Sequence, residues 1–168
     1  MLLSYMLLAF ATSIYLILCF VWDIKGREIF TFPCTLLTGL WIVFAVMTNR
    51  LSSWTQWLYC LVLIVVFVIF NIKKIWGAGD SDLLMLLGAV YLCQGTGQIS
   101  LTDFIALCFV IVLILLSAII VGVIEAKIKN RQLGKDSSIA VAPGFAIVII
   151  CIMIGGFLRL WKHVITIF

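Results

Sequence analysis

The fold is decided by residues 104–124, which read FIALCFVIVLILLSAIIVGVI and contain no charged side chain. A helix rises about 1.5 Å per residue, so this segment would be about 30 Å long. That length matches the hydrocarbon core of a bilayer. The segment therefore predicts a helix that crosses a membrane.

The composition of the whole chain agrees with that interpretation. Of its 168 residues 65% are hydrophobic and only 11% are charged. A globule of this size cannot bury so much apolar surface, which must then face lipid. This excludes a soluble enzyme, a secreted disulfide scaffold, a disordered tail and a nucleic-acid-binding module. We expect one all-α domain, residues 1–168, embedded in the lipid bilayer.

Six apolar segments are candidates for membrane-spanning helices. The fourth is short, and it reaches membrane length only if residues 77–82 lie partly at membrane depth. Residues 159–168 are expected to form a short amphipathic tail at the interface. The six predicted spans are residues 1–22, 29–47, 54–72, 83–93, 104–124 and 139–158.

Basic residues predict the orientation of these spans. Eight lie in the connections after the first, third and fifth spans, and three lie on the other side. The positive-inside rule places the first group in the cytosol and both termini outside. The eight are Lys25, Arg27, Lys73, Lys74, Lys127, Lys129, Arg131 and Lys135; the three are Arg50, Arg159 and Lys162.

The cysteines and the single histidine do not have the spacing of a metal site. No CxxC pair occurs, and His163 has no Cys, His, Asp or Glu near it in the sequence. Zinc ligands normally come in pairs two to four residues apart. The cysteines are best interpreted as small apolar side chains, so we expect no metal and no cofactor.

Two acidic residues stand at places where a carboxylate is costly. Asp23 directly follows 22 uncharged residues, and Lys25 and Arg27 could pair with it at the interface. Asp80 ends the segment Gly77-Ala78-Gly79-Asp80. The glycines favour a non-helical strip that can lie against an extended peptide, and the alternative is a turn with Asp80 as a helix N-cap.

The number of crossings relates these two acids. Two predicted spans separate Asp23 from Asp80, so both carboxylates are expected at the same membrane face. Two neighbouring carboxylates do not both ionise easily, and one keeps its proton. The ionised member can activate water while the protonated one polarises a peptide carbonyl. These are the parts of an aspartic protease.

The two motifs resemble those of the type IV prepilin peptidase family, the GxGD aspartyl proteases. The resemblance rests on residues 22–29, WDIKGREI, on Gly77-Ala78-Gly79-Asp80, and on residues 139–146, IAVAPGFA, with Pro143 opening the last helix. It implies six spans, a catalytic pair of Asp23 and Asp80, and an active-site loop at residues 77–79. Further residues would contact the substrate or stabilise the site, namely Lys25, Arg27, Asp82 and Pro143.

The chain departs from the family pattern at three places. Phe30 and Thr31 stand where many relatives have Pro-Asn, and Asp82 stands where relatives commonly have Lys. Long relatives also carry a methyltransferase insert with CxxC pairs between the first two spans. Only about six residues separate those spans here. The chain resembles the short, peptidase-only form of Tad/Flp-type pili and archaeal preflagellin peptidases, without methyltransferase activity.

The function expected from this resemblance is removal of a short basic leader from prepilin-like or preflagellin-like proteins. Cleavage would occur at the cytosolic face of a prokaryotic inner membrane. Two alternatives remain open: a small proton-coupled transporter or channel that uses the carboxylates as relays, and a non-catalytic assembly subunit. No nucleic acid is expected as a partner.

Overall fold

The computed structural model describes residues 2–26, 29–73, 77–94, 101–128 and 141–165. The described part of the chain is all-α, as the sequence predicts, and contains six helices. They are α1 (Leu2–Gly26), α2 (Thr31–Met47), α3 (Trp54–Lys73), α4 (Ala78–Leu92), α5 (Leu101–Ile128) and α6 (Ala142–Ile165).

Four of these helices, α1, α3, α5 and α6, are long and apolar enough to cross a membrane. Helix α2 is apolar but has only 17 residues. Helix α4 has 15 residues, which corresponds to about 22 Å. The four long helices agree with a membrane protein, and the prediction of six spans stays a prediction.

The helices pack as a ring of four with two outer helices. Helix α1 contacts α2 and α6, and α4 contacts the same two helices, which closes the ring. Helix α3 packs on α4 and α5 packs on α6. Helix α4 is therefore covered on several sides, and its leucines at positions 83, 84, 86 and 87 are fully buried. A helix that is apolar all round requires such surroundings.

The polar residues of the bundle collect at its two ends. At one end Asp23 of α1 meets the first residue of α6, and Ile29 contacts Gly79 at the start of α4. We call this the aspartate end. At the other, Tyr5 of α1 is hydrogen-bonded to Gln94, which follows α4. We call this the arginine end, because Arg50 and Arg159 lie there.

Helix α6 continues without a break from the predicted sixth span to Ile165, and the interfacial position of the tail from residue 159 onward stays a prediction. The side chains of Phe157 and Trp161 stack four residues apart, with their ring centroids separated by 6.0 Å. Side chains at this spacing lie on the same helix face and stabilise it. No proline or glycine between them would end the helix.

Candidate functional site

Asp23 lies in the last turns of α1 and is held by the start of α6. Its side chain is only 6% exposed. The carboxylate oxygen Oδ2 accepts a hydrogen bond of 3.0 Å from the backbone N–H of Ala142, the first residue of α6. The N-terminus of a helix carries a partial positive charge. Both the hydrogen bond and the helix dipole favour the ionised form of Asp23.

Pro143 explains why this helix end is available to a carboxylate. As the second residue of α6 it has no N–H to satisfy. The N–H groups of Gly144 and Phe145 donate to the carbonyl of Val141. The N–H of Ala142 is thus left to donate to Asp23. The structure confirms that the proline opens the last helix, and shows that it is buried beside this contact.

Asp80 is the third residue of α4 and reaches back to the start of its own helix. The backbone N–H of Gly77, the residue before α4, donates to its carboxylate. An acid at this position commonly satisfies the N–H of the capping residue. The other oxygen, Oδ1, is buried and has no hydrogen-bond partner. A buried acceptor without a donor is costly when it is ionised.

The two carboxylates are close enough to interact. Asp80 lies before the apolar part of α4, and its pKa is raised to about 6, first by burial and next by repulsion from the Asp23 carboxylate. The hydrogen bond from Gly77 opposes this rise only in part. The structure therefore brings the two acids together at one end of the bundle, as the crossing argument requires.

The predicted non-helical strip is confirmed only at Gly77, whose backbone is extended, and is wrong for Ala78 and Gly79. Helix α4 begins at Ala78, and no glycine among the described residues has a positive φ. A Cβ atom on Gly79 would lie 2.5 Å from the Cβ of Ile29, so glycine serves here for close approach to another segment. The loss of helix propensity at Gly79, about 1 kcal/mol, is small beside the burial that α4 gains.

Of the remaining predicted residues, the structure describes Lys25 and Asp82. Lys25 is exposed and makes no ion pair with a described residue, so it does not pair with Asp23. Arg27 lies outside the described residues. Asp82 is half-buried, it acts electrostatically on the Cys34 thiol of α2, and burial raises the pKa of Asp82. Two residues along a helix turn about 200°, so Asp82 leaves α4 on a different face from Asp80.

Two contacts of the site were not foreseen from the sequence. One is the Ala142 N–H; Pro143 was a usable signal, because it marks a helix start with few competing donors. The other is a contact of the loop formed by Ile29 and Phe30. Tyr15 of α1 donates a hydrogen bond of 2.8 Å to the carbonyl of Phe30, which fixes this loop beside the carboxylates. No local sequence pattern predicts that this loop is bonded to a tyrosine 15 residues earlier in α1.

The described residues contain no group of three or more His, Cys, Asp or Glu that could hold a metal ion. The chemistry available at the aspartate end is that of two carboxylates in unlike surroundings. Asp23 accepts a hydrogen bond from a helix N-terminus, and Asp80 has a raised pKa and one buried oxygen without a partner. General acid–base catalysis uses two carboxyl groups whose surroundings differ in this way. Comparison with protein-family models, curated proteins and solved structures finds no match to this chain.

Proposed function

We propose that this chain is an intramembrane-type aspartic endopeptidase that removes the short basic leader of prepilin-like or preflagellin-like proteins. The observation that supports it is the meeting of Asp23 and Asp80 at one end of an apolar bundle. A helix N-terminus holds Asp23, whereas Asp80 keeps one buried oxygen without a donor.

The mechanism follows from these unlike surroundings. Asp23, as the anion, takes a proton from a water molecule, whose oxygen attacks the carbonyl carbon of the scissile peptide bond. Asp80 gives its proton to the carbonyl oxygen, and a tetrahedral diol forms. Asp80 then takes back a proton from the diol while Asp23 delivers its own to the leaving nitrogen, and the C–N bond breaks. Both carboxyl groups return to their starting states.

The proposed topology places all six helices across the inner membrane of a prokaryote, with the aspartate end in the cytosol and the N-terminus outside. The basic connections after α1, α3 and α5 support this orientation. The substrate's apolar helix would stay in the bilayer while its leader reaches the aspartates. Asp82 lies at the same end and would favour Lys and Arg of the leader.

The test uses the purified protein in liposomes and a synthetic substrate with a basic leader, a glycine and about 20 apolar residues. We expect Asp23→Asn and Asp80→Asn each to lower the rate of cleavage by about 10³-fold or more. The double variant should be no worse than either single one, because the two acids act as a unit. Asp82→Asn is the matched control on α4 and should keep cleavage within about tenfold.

Two results would contradict the proposal. If all three variants cleave at the wild-type rate, the two acids are not catalytic. If Asp82→Asn is inactive and Asp80→Asn is active, the assignment of the acid on α4 is wrong. Circular dichroism and gel filtration of each variant in detergent separate loss of catalysis from loss of fold.

A further inference from the structure

The arginine end contains a small polar pocket that the proposed protease chemistry does not use. It has a volume of about 130 Å³. It opens between the start of α1, the turn after α2, the end of α4 and the later part of α6. The residues of its lining used below are Tyr5, Arg50, Gln94, Gly156 and Arg159.

A fixed chain of hydrogen bonds orients the amide of Gln94 in this pocket. The Tyr5 hydroxyl donates to the carbonyl of Met153 at 2.8 Å, so towards Gln94 it can only accept. The Nε2 of Gln94 donates to it at 2.9 Å. The Oε1 atom must then point the other way, where it is buried and has no hydrogen-bond partner. Gln94 is only 8% exposed, so this oxygen is a buried hydrogen-bond acceptor without a donor.

Gly156 of α6 leaves the space that this amide occupies. A Cβ atom at position 156 would overlap the Gln94 amide and approach the Tyr5 hydroxyl oxygen. Any other residue would push Gln94 out of this position. The unpaired acceptor is therefore a built feature of the pocket and not a loosely placed side chain.

Two guanidinium groups bring positive charge to the same pocket. Arg50 is placed by the turn that ends α2: Asn49 has φ 55°, and the N–H groups of Asn49 and Arg50 donate to the carbonyls of Val46 and Ala45. This is a Schellman motif, which fixes the backbone of Arg50. The Arg50 side chain is half-buried and makes no hydrogen bond or ion pair with a described residue.

The second arginine, Arg159 of α6, reaches the same place. One of its NH groups donates to the backbone carbonyl of Gln94 at 3.2 Å, and its other donors remain free among the described residues. No acidic side chain lines the pocket. Asp103, in the first turn of α5, accepts a hydrogen bond of 3.4 Å from the Tyr91 hydroxyl. Two cations and one unpaired acceptor require a ligand with an anion and a donor.

The depth of the pocket indicates where such a ligand comes from. Three tryptophans at this end are exposed: Trp54 and Trp57 at the start of α3, and Trp161 near the end of α6. Tryptophan is enriched at the level of the lipid headgroups. Arg159 lies two residues before Trp161, so the pocket is at the same level.

We propose that this pocket binds the headgroup of an anionic phospholipid that carries a hydroxyl group, of the phosphatidylglycerol type. The phosphodiester oxygens accept from Arg50 and Arg159, and a headgroup hydroxyl donates to Oε1 of Gln94. The bound lipid ties the turn after α2 to α4 and α6. The inference is independent of the protease chemistry and concerns the opposite end of the bundle.

The experiment measures lipid binding by native mass spectrometry and thermal stabilisation of the purified full chain in detergent. The probes are phosphatidylglycerol, phosphatidylmethanol as an anionic phosphodiester without the hydroxyl, zwitterionic phosphatidylcholine, and soluble glycerol phosphate. We expect phosphatidylglycerol to bind about tenfold more tightly than phosphatidylmethanol and far more tightly than the other two. Arg50→Gln and Arg159→Gln should each weaken that binding about tenfold or more.

The control is Lys127→Gln, which removes an exposed charge at the opposite end of the bundle. It should leave phosphatidylglycerol binding unchanged. Gln94→Leu should abolish the preference for phosphatidylglycerol over phosphatidylmethanol while keeping the preference for anionic lipid. Equal binding of phosphatidylglycerol and phosphatidylcholine by the wild type would overturn the proposal. So would an equal loss in Lys127→Gln, or glycerol phosphate binding as tightly as the lipid, which would indicate a soluble phosphate ester.

Discussion

Asp23 and Asp80 carry the same side chain but differ in what surrounds their oxygens. The first receives a backbone N–H from the start of α6, and the second receives one N–H while its Oδ1 stays buried without a donor. Because each carboxylate also repels the other, a single proton between them is the favoured state at a pH just below the pKa of Asp80, which is about 6. We propose that this proton lies on Asp80, because burial and the Asp23 carboxylate both raise the pKa of Asp80.

This assignment predicts the pH dependence of cleavage. The pKa of Asp80 is about 6, so its proton is lost as the pH rises through that value. We expect kcat/KM to fall as the pH is raised from 6 to 8.5, and a second, acidic limb to follow protonation of Asp23. The two apparent values belong to the pair. The measurement is leader cleavage in liposomes at constant ionic strength, and a tenfold increase from pH 6 to 8.5 would contradict the assignment.

The same pKa has a consequence for stability. The folded-state pKa of Asp80 lies above its ordinary value of 3.8, so ionisation disfavours the folded state. Stability from this group is complete below pH 4 and is lost as the pH rises through about 6. We expect Asp80→Asn to be more stable than the wild type at pH 7 by about 1–2 kcal/mol, after allowance for partial exposure. At pH 4 the difference should vanish.

Unfolding in mixed micelles containing SDS at the two pH values checks this. The variant would then be inactive and yet more stable, which separates a catalytic loss from a folding defect. Equal stability of variant and wild type at pH 7 would show that the Asp80 carboxylate is well solvated in the folded protein.

At the scale of the helices, the sequence predicts where most of them lie but not how α4 begins. Long uncharged runs locate α1, α3 and α5 because length and apolarity are local properties. Gly77 and Gly79 predict a non-helical start of α4, because glycine tolerates a positive φ and lets the backbone approach another chain closely. Burial among α2, α3 and α6 overrides that preference, and burial depends on chain segments far away in sequence.

The contacts at the two polar ends could not be predicted from the sequence for the same reason. Asp23 meets Ala142 across 119 residues and Tyr5 meets Met153 across 148. The parity of the crossings places acids on one face, but it carries no information on which helix end donates to which oxygen. Which helix end donates to which oxygen is determined by the packing of α1 on α6.

The close approach at Gly79 gives a prediction about α4. A methyl group at this position would collide with Ile29, so Gly79→Ala should destabilise the bundle by about 1–3 kcal/mol and lower cleavage. Adding Ile29→Gly, which also removes the Cβ atom that lies 2.5 Å from the new methyl group, should restore part of both. The matched control is Gly155→Ala in α6, where a Cβ meets nothing within 4 Å, and which should be neutral or slightly stabilising.

Unfolding and cleavage assays on the two single variants and on the double variant form the test. A Gly79→Ala protein as stable and active as the Gly155→Ala control would show that α4 can move away from Ile29. In that case the position of Asp80 would not depend on this contact.

At the scale of the whole molecule, the ring of α1, α2, α4 and α6 places its two polar clusters at opposite ends. The outer helices α3 and α5 bury little of their surface and present branched apolar side chains outward. This is the distribution expected when lipid covers the sides of a bundle and water reaches its ends. Each end can then have its own chemistry: acids at one, arginines at the other.

The orientation of the bundle is the prediction on which the proposed substrate depends. In the sequence, eight basic residues lie in the connections after the first, third and fifth predicted spans and three lie on the other side, so the aspartate end should face the cytosol. An epitope inserted between Lys135 and Asp136 should be protected from protease in intact spheroplasts and cut in inverted vesicles. An epitope between Gly95 and Thr96 should behave in the opposite way, because α5 lies between the two positions.

A charge variant makes this test sharper. Replacing Lys127, Lys129, Arg131 and Lys135 by Gln leaves four basic residues against three, and we expect a mixed population of orientations. If both epitopes are cut from the same side, α5 does not cross the membrane. If the first epitope is cut in intact spheroplasts, the aspartates face outward, and they cannot process a leader that is still in the cytosol.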